Sequence, residues 1–152
     1  MGAREGLSPG EWAVLALLAE APAHGWALAR ALAPDGELGR VWTFPRPLVY
    51  RALATLGAAG LVEQVGTVEG GRGPTRTIVA VTATGRDRVA AWLGEPVEHV
   101  RDARSLLLLK LALCHRQEVD PRPLLEEQRA VLERVERAQA ARAANAAGDD
   151  TE

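Results

Sequence analysis

The side chains able to do covalent or metal chemistry are few in this chain and badly spaced for it. Its histidines are His24, His99 and His115, and its one cysteine is Cys114. A metal site needs several such ligands converging on one ion. The adjacent pair Cys114-His115 does not turn two side chains toward one ion, and no CxxC or HxxxH spacing accompanies it. His24 reads instead as a residue that caps or orients a helix, and Cys114 as a buried thiol. No Gly-x-Ser-x-Gly or equivalent motif supplies a nucleophile. The reading is a protein that is not an enzyme and that holds neither metal nor cofactor.

Arginine carries the chemistry that remains. The chain has a formal net charge of −2, yet between residues 40 and 76 Arg40, Arg46, Arg51, Arg72 and Arg76 face only Glu63 and Glu69. A guanidinium suits phosphate and the major-groove edge of guanine. A local, modest basic footprint implies salt-sensitive and weak DNA binding by one copy. Arg46, at the start of a helix, is placed for a base edge. Pro47 and Tyr50 share its outer face, Tyr50 for a phosphate or a base methyl, and Arg51 suits the backbone. Arg72 stands in Gly70-Gly71-Arg72-Gly73, where glycines allow close approach to a polyanion, and Arg76 opens the next strand. The six DNA-binding candidates are thus Arg46, Pro47, Tyr50, Arg51, Arg72 and Arg76. The plain alternative is that these arginines are solvated surface and the glycine segment a flexible turn. A nucleotide cradle would need a strand-to-helix junction, whereas strands flank this segment on both sides.

The elements that must position these residues follow from local signals. Ser8-Pro9-Gly10-Glu11 combines an N-cap, an early proline and a capping-box glutamate, and Trp12 to Ala19 is apolar on most sides, so the first helix is buried. Ala21-Pro22 ends it. A second helix runs from about His24 to Ala33, and Pro34-Asp35-Gly36 breaks it. Pro45 and Pro47 set the start of a third helix, on which Val49, Ala52, Leu53 and Leu56 face inward. Gly57 and Gly60 weaken and stop it. Leu61 to Val65 and Arg76 to Val81 read as strands around a polar turn from Gly66 to Thr75, and Thr82 caps a fourth helix reaching Leu93. Three helices, a hairpin and a helix in that order make a winged helix, with the third helix in the major groove and the hairpin tip at a flanking phosphate or the minor groove.

Beyond Glu95-Pro96, Ser105 to Arg116 is so rich in leucine that it must be buried against something large. Asp120-Pro121 opens a long helix to about Ala146. Its seam of Leu125, Gln128, Leu132, Val135, Gln139 and Arg142 fades toward the end, as in a short, imperfect coiled coil. The expected fold is mainly α with one β-hairpin. Residues 7–94 would form the winged-helix DNA-binding domain, 97–146 a two-helix unit and 147–152 a disordered acidic tail. A chain of 152 residues, 47% apolar, is long enough for one compact domain and an accessory element. One cysteine excludes an intrachain disulfide and suits a reducing compartment. Residues 1–9 lack the apolar run of a signal peptide, and Lys110 interrupts the longest apolar stretch, so the expectation is a soluble cytoplasmic protein. Arginine-rich, alanine-rich composition, with Lys110 the only lysine, hints at a GC-rich bacterial genome.

The combination of His24-Gly25-Trp26, then Val49-Tyr50-Arg51 with Leu53, then Gly60-Leu61-Val62, then Thr82 with Gly85, resembles the PadR family of bacterial transcriptional regulators. The resemblance runs over nearly residues 7 to 140. It departs from the family pattern at Gly57, where a glutamate is usual, and at Val79, where a tyrosine is common. It implies a homodimer, made by the C-terminal helices, that represses nearby genes from an inverted-repeat operator. Leu106, Leu109, Leu113, Leu125, Leu132 and Val135 would then form the dimer contact. It also implies release by a small hydrophobic or aromatic effector, for which Trp12, Trp92 and Leu108 are the lining candidates. Two rival readings stand beside it. One is a winged-helix protein-interaction module that has lost DNA binding, favoured by a third helix rich in proline and free of lysine. The other is an enzyme subunit or carrier using the leucine-rich cavity.

Overall fold

The computed structural model describes residues 6–69 and 71–149. Helix α1 (Pro9–Glu20) begins as its sequence predicts: Ser8 Oγ accepts from the Glu11 amide at 3.2 Å and Glu11 Oε1 accepts from the Ser8 amide at 3.1 Å. Ala13 to Leu18 are buried, so α1 forms the centre of the core. Strand β1 (Ala23–His24) leads into α2 (Gly25–Ala31). As expected, His24 caps that helix, its Nδ1 accepting from the Ala27 amide at 3.1 Å. Helix α2 is shorter at both ends than the sequence suggested.

Helix α3 (Arg46–Ala58) starts at its paired prolines, with Pro45 at the N-cap and Pro47 in the first turn. It buries Val49, Ala52 and Leu56. It ends in a Schellman motif: Leu61 N–H bonds Leu56 C=O at 3.0 Å and Gly60 N–H bonds Gly57 C=O at 3.1 Å, around a left-handed Gly60 with φ of +72°. Strands β2 (Val62–Val68) and β3 (Arg76–Val81) form the hairpin. β2 runs three residues beyond the predicted Val65, because a bulge at Val65 restores pairing from Gly66 to Val68. β1 adds a third strand on the other edge of β3, giving the order β1-β3-β2 where a hairpin alone was expected.

Helix α4 (Ala83–Gly94) is locked to the end of α3 by its own cap. Thr82 Oγ1 accepts from the Gly85 amide at 3.1 Å and donates to Gly60 C=O at 2.8 Å. A Cβ on Gly85 would lie 2.2 Å from Leu61 O, so only glycine lets the two segments meet. The Thr82-x-x-Gly85 spacing is therefore the joint between hairpin, α3 and α4.

Helix α5 (Val100–Arg116) starts five residues before the expected Ser105, and α6 (Arg122–Asp149) follows. Only one face of α5 is buried: Leu109, Lys110, Leu113 and Cys114 are, whereas Leu108 is exposed. The leucine run is thus not enclosed all round. Its buried leucines, Cys114 and Leu124 share one continuous core with α1, so the residues on the two sides of the expected boundary near 94–97 pack against each other. Asp120 accepts from the Arg122 amide at 3.0 Å but lies two residues before α6, and Pro121 precedes the first turn. Helix α6 continues through Asp149, so residues 147–149 are helical where a disordered tail was expected; residues 150–152 lie outside the described residues.

Candidate nucleic-acid interface

Arg46 and Tyr50 stand one turn apart on the exposed face of α3, with the Arg46 guanidinium 5.8 Å from the Tyr50 ring centre. They form one wall of a groove of about 820 Å³ whose other wall is the hairpin, including Val62, Gln64, Arg76 and Thr77. The floor between them carries Trp26, Leu53 and Val79. Arg46 and Pro47 are exposed, as a reading head requires. Tyr50 is 45% exposed but not free, because its ring lies against Gly25, where a Cβ would come within 2.6 Å of it. The His24-Gly25-Trp26 and Val49-Tyr50 motifs are thereby explained together: glycine in α2 makes the seat for the tyrosine of α3.

Arg51 is exposed but turns to the other flank of α3, lining a separate cavity with Leu7, Leu48 and Arg88. Arg72 is exposed in the hairpin turn beside Gly71, whose φ is +55°. Gly70, which belonged to the same predicted tip, lies outside the described residues. Arg76 is half-buried because its guanidinium packs 4.5 Å from the centre of the Trp26 indole; Arg30, one turn along α2, packs 4.8 Å from the same ring. Sequence reading named Trp26 only as the aromatic of the His24-Gly25-Trp26 motif and did not single out Arg30, although their i, i+4 spacing on α2 was the available signal.

A second candidate site lies between α1, α4 and α5. Trp12 and Trp92 stack with ring centres 4.9 Å apart and planes 6° from parallel. They border a cavity of about 480 Å³ also lined by Leu106, Lys110, Arg88 and Asp102. Leu108, the third predicted lining residue, is 52% exposed and is not among the residues around it. Lys110 is buried: its Nζ donates to Trp92 C=O at 2.8 Å and to Glu95 C=O, and lies 4.7 Å from the Trp92 ring centre. Burial pushes its pKa down to about 8, with Glu95 and Cys114 opposing that shift. Burial also raises the pKa of Cys114, the thiol predicted to be interior.

The six predicted dimer residues separate into two groups. Leu109 and Leu113 are fully buried inside the protomer and offer no surface to a second copy, because α1 and α4 already cover that face of α5. Leu125 and Leu132 are exposed, and Leu106 and Val135 half-buried. Gln128, predicted on the same seam, is buried and bonds both backbone groups of Val97 at 2.7 and 2.8 Å. Among the described residues no three His, Cys, Asp or Glu side chains gather around a possible ion, and no helix is long and apolar enough to cross a membrane.

Three helices, a hairpin beside the third, and arginines on the shared groove define a winged helix-turn-helix protein. The profile of the transcriptional regulator PadR-like family matches residues 14–91, just over half of the chain, and the chain belongs to that family. It is a family of regulators, not of enzymes. The Mycobacterium tuberculosis protein named "Probable transcriptional regulator Rv1176c" is 30% identical over 96 residues, 63% of this chain and 49% of that one. The chain therefore spans about half the length of that relative. Bacillus subtilis PadR, solved in complex with operator DNA, is 22% identical, with a TM-score of 0.54 over 71% of this chain and 60% of that one. Streptococcus mutans smu.1604c is 15% identical, with a TM-score of 0.51 over 90% and 98%. Both solved structures share the fold.

Proposed function

We propose that this PadR-like regulator is a homodimeric, sequence-specific DNA-binding repressor. The observation that carries this reading is the groove: Arg46 from α3 and Arg76 from the hairpin face one channel, with Arg72 exposed at the turn beyond. In this reading α3 enters the major groove of an inverted-repeat operator and the hairpin meets a flanking phosphate or the minor groove. Residues 7–94 act as the DNA-binding unit and 97–146 pair two copies through the exposed Leu125 and Leu132, with Leu106 and Val135 beside them. A two-fold axis then presents two recognition helices about one DNA turn, roughly 34 Å, apart. It also doubles the arginines facing DNA, which offsets the net charge of −2. The operator-bound state of Bacillus subtilis PadR, whose fold this chain shares, supports double-stranded DNA as the partner. Such a protein works in the bacterial cytoplasm.

The same reading gives the Trp12–Trp92 cavity to a small hydrophobic or aromatic effector that releases the DNA. Release requires the effector to bind a non-binding arrangement of the dimer more tightly than the DNA-bound one. The experiment is fluorescence anisotropy with duplex from the protein's own upstream region against scrambled duplex, across a salt series. A preference for the upstream duplex that persists at physiological salt is expected, and Arg46→Ala with Arg72→Ala should abolish it while the protein stays dimeric. Equal, weak binding to both duplexes that vanishes with salt would overturn the reading.

A further inference from the structure

We propose that Trp26, Arg30 and Arg76 form a phosphate clamp that grips the DNA backbone beside the bases faced by α3. The inference rests on the DNA-binding reading above and adds to it a site of its own. One indole holds two guanidinium groups, at 4.8 and 4.5 Å from its ring centre. Arg30 reaches it from one turn along α2, and Arg76 from the first residue of β3. The pairing of β1 with β3, His24 opposite Ile78, is what brings the start of α2 alongside the start of that strand.

Two like charges gathered on one ring repel each other unless an anion joins them. Among the described residues neither arginine forms an ion pair with a carboxylate, whereas Arg116 pairs with Glu20 and Glu37 at 3.0 Å each. The right atoms are also available: among the described residues neither guanidinium donates a hydrogen bond to a protein group. A guanidinium held over an aromatic ring still presents its N–H donors to an outside acceptor. Those donors match the oxygens of a phosphodiester, and the indole has already taken up much of the freedom a loose arginine would lose on binding. Trp26 and Arg76 line the same groove as Arg46, and Trp26 also borders the neighbouring cavity that Arg30 lines, so a strand whose bases meet α3 passes the ring that both arginines share. Trp26 is a positioning residue here, and the two arginines are the phosphate ligands.

Salt dependence separates this role from a structural one. Removing one arginine–phosphate pair should lower the slope of log affinity against log salt by about 0.9. Anisotropy is measured from about 50 to 400 mM NaCl with the upstream duplex and its scrambled counterpart. Arg30→Gln should reduce the slope by about 0.9 for each bound protomer and weaken both duplexes alike, about fivefold per protomer at 0.15 M salt. Trp26→Leu, which removes no charge, should lower the slope at least as much, and Trp26→Phe should restore most of it. If Arg30→Gln leaves the slope unchanged, or Trp26→Leu weakens binding without changing it, the clamp is overturned. Should Trp26→Leu fail to fold, Arg30→Gln and Trp26→Phe still decide. Wild-type protein that binds neither duplex overturns the DNA reading itself, and that is seen before any variant is compared.

Discussion

Raising the pH from 7 to 9.5 should strengthen the native state through Lys110. Its ammonium is held beneath Trp92 and bonded to two backbone carbonyls at the end of α4, and burial lowers its pKa from the ordinary 10.5 to about 8. Below pH 8 the group is charged in both states, and the folded protein carries the full penalty of desolvating that charge. Between 8 and 10.5 the folded lysine releases its proton while the unfolded one keeps it. The unfolded state then binds more protons, so stability rises with pH across that window. The gain by pH 9.5 is about 2 kcal/mol, equivalent to about 4–8 °C in Tm for a chain of this size. Cys114 acts in the opposite sense, because its raised pKa lets the unfolded thiol ionise first. Comparison with Lys110→Met isolates the lysine. Removing the cation raises the thiol further, which adds to the difference instead of cancelling it. Urea unfolding followed by tryptophan fluorescence at pH 7, 8, 9 and 9.5 measures both proteins. A wild-type stability that changes with pH in parallel with the variant would refute the desolvated lysine and the packing that encloses it.

The remaining predictions concern the backbone. Glu118 sits at the left-handed position of the Schellman motif that ends α5, with φ of +53°, and Val119 N–H closes the motif on Cys114 C=O at 2.9 Å. Glu118→Gly should therefore stabilise the protein by about 1 kcal/mol in urea unfolding, and a destabilisation would contradict the strain argument. Gly85→Ala should cost about 1–3 kcal/mol, because the new Cβ meets the Leu61 carbonyl and forces hairpin and α4 apart. An unchanged urea midpoint would mean that this joint yields more easily than its geometry implies.

What could be read from the sequence was what is decided locally. The capping box at Ser8 and Glu11, the cap at His24, the paired prolines before α3 and the Thr82 cap each involve groups within a few residues of one another. Strand β1 escaped because two residues carry no periodicity; it exists only through pairing with β3, more than fifty residues away. The extension of β2 depends on a bulge, which a two-residue alternation does not register. The leucines of α5 showed that the helix is buried without showing which face is covered, and Leu109 and Leu113 went to the protomer core while Leu108 stayed outside. Gln128 read as a seam position on α6, but its amide completes the backbone of Val97, a partner 31 residues away. Arg46 in the groove and Arg72 at the turn beyond it were legible as charges near signals for a helix start and a turn. The role of Arg76 was not, since its partner is an indole fifty residues earlier.

The proposed effector cavity is connected to the recognition helix along helix α4 and, through α1, which carries Trp12, by direct packing on α3. The first turn of α4 is bonded to Gly60 and Leu61, at the end of α3, through Thr82. Its last turn holds Trp92 against Trp12 of α1 and against Lys110 of α5. Arg86 also donates to Ala19 C=O at 3.0 Å, which ties the middle of α4 to the end of α1. A ligand that parts the two indoles therefore has to move α4 relative to α1 or move α5 with it. In the proposed mechanism the first motion would load the Thr82–Gly60 joint and tilt α3, and the second would alter the angle at which α5 and α6 meet the winged helix. Either would change the spacing of the two recognition helices in the proposed dimer, with no ligand touching the DNA face. The energetic requirement is small. A difference of about 1.4 kcal/mol in ligand affinity between the two arrangements suffices for a tenfold loss of DNA affinity at saturation. The ligand's contacts with the parted indoles have to supply that difference after replacing the stack they break, itself about 0.5–1.5 kcal/mol. An aromatic ligand that stacks on both indoles would meet that requirement, which makes the pair at the far end of α4 the proposed switch of the proposed repressor.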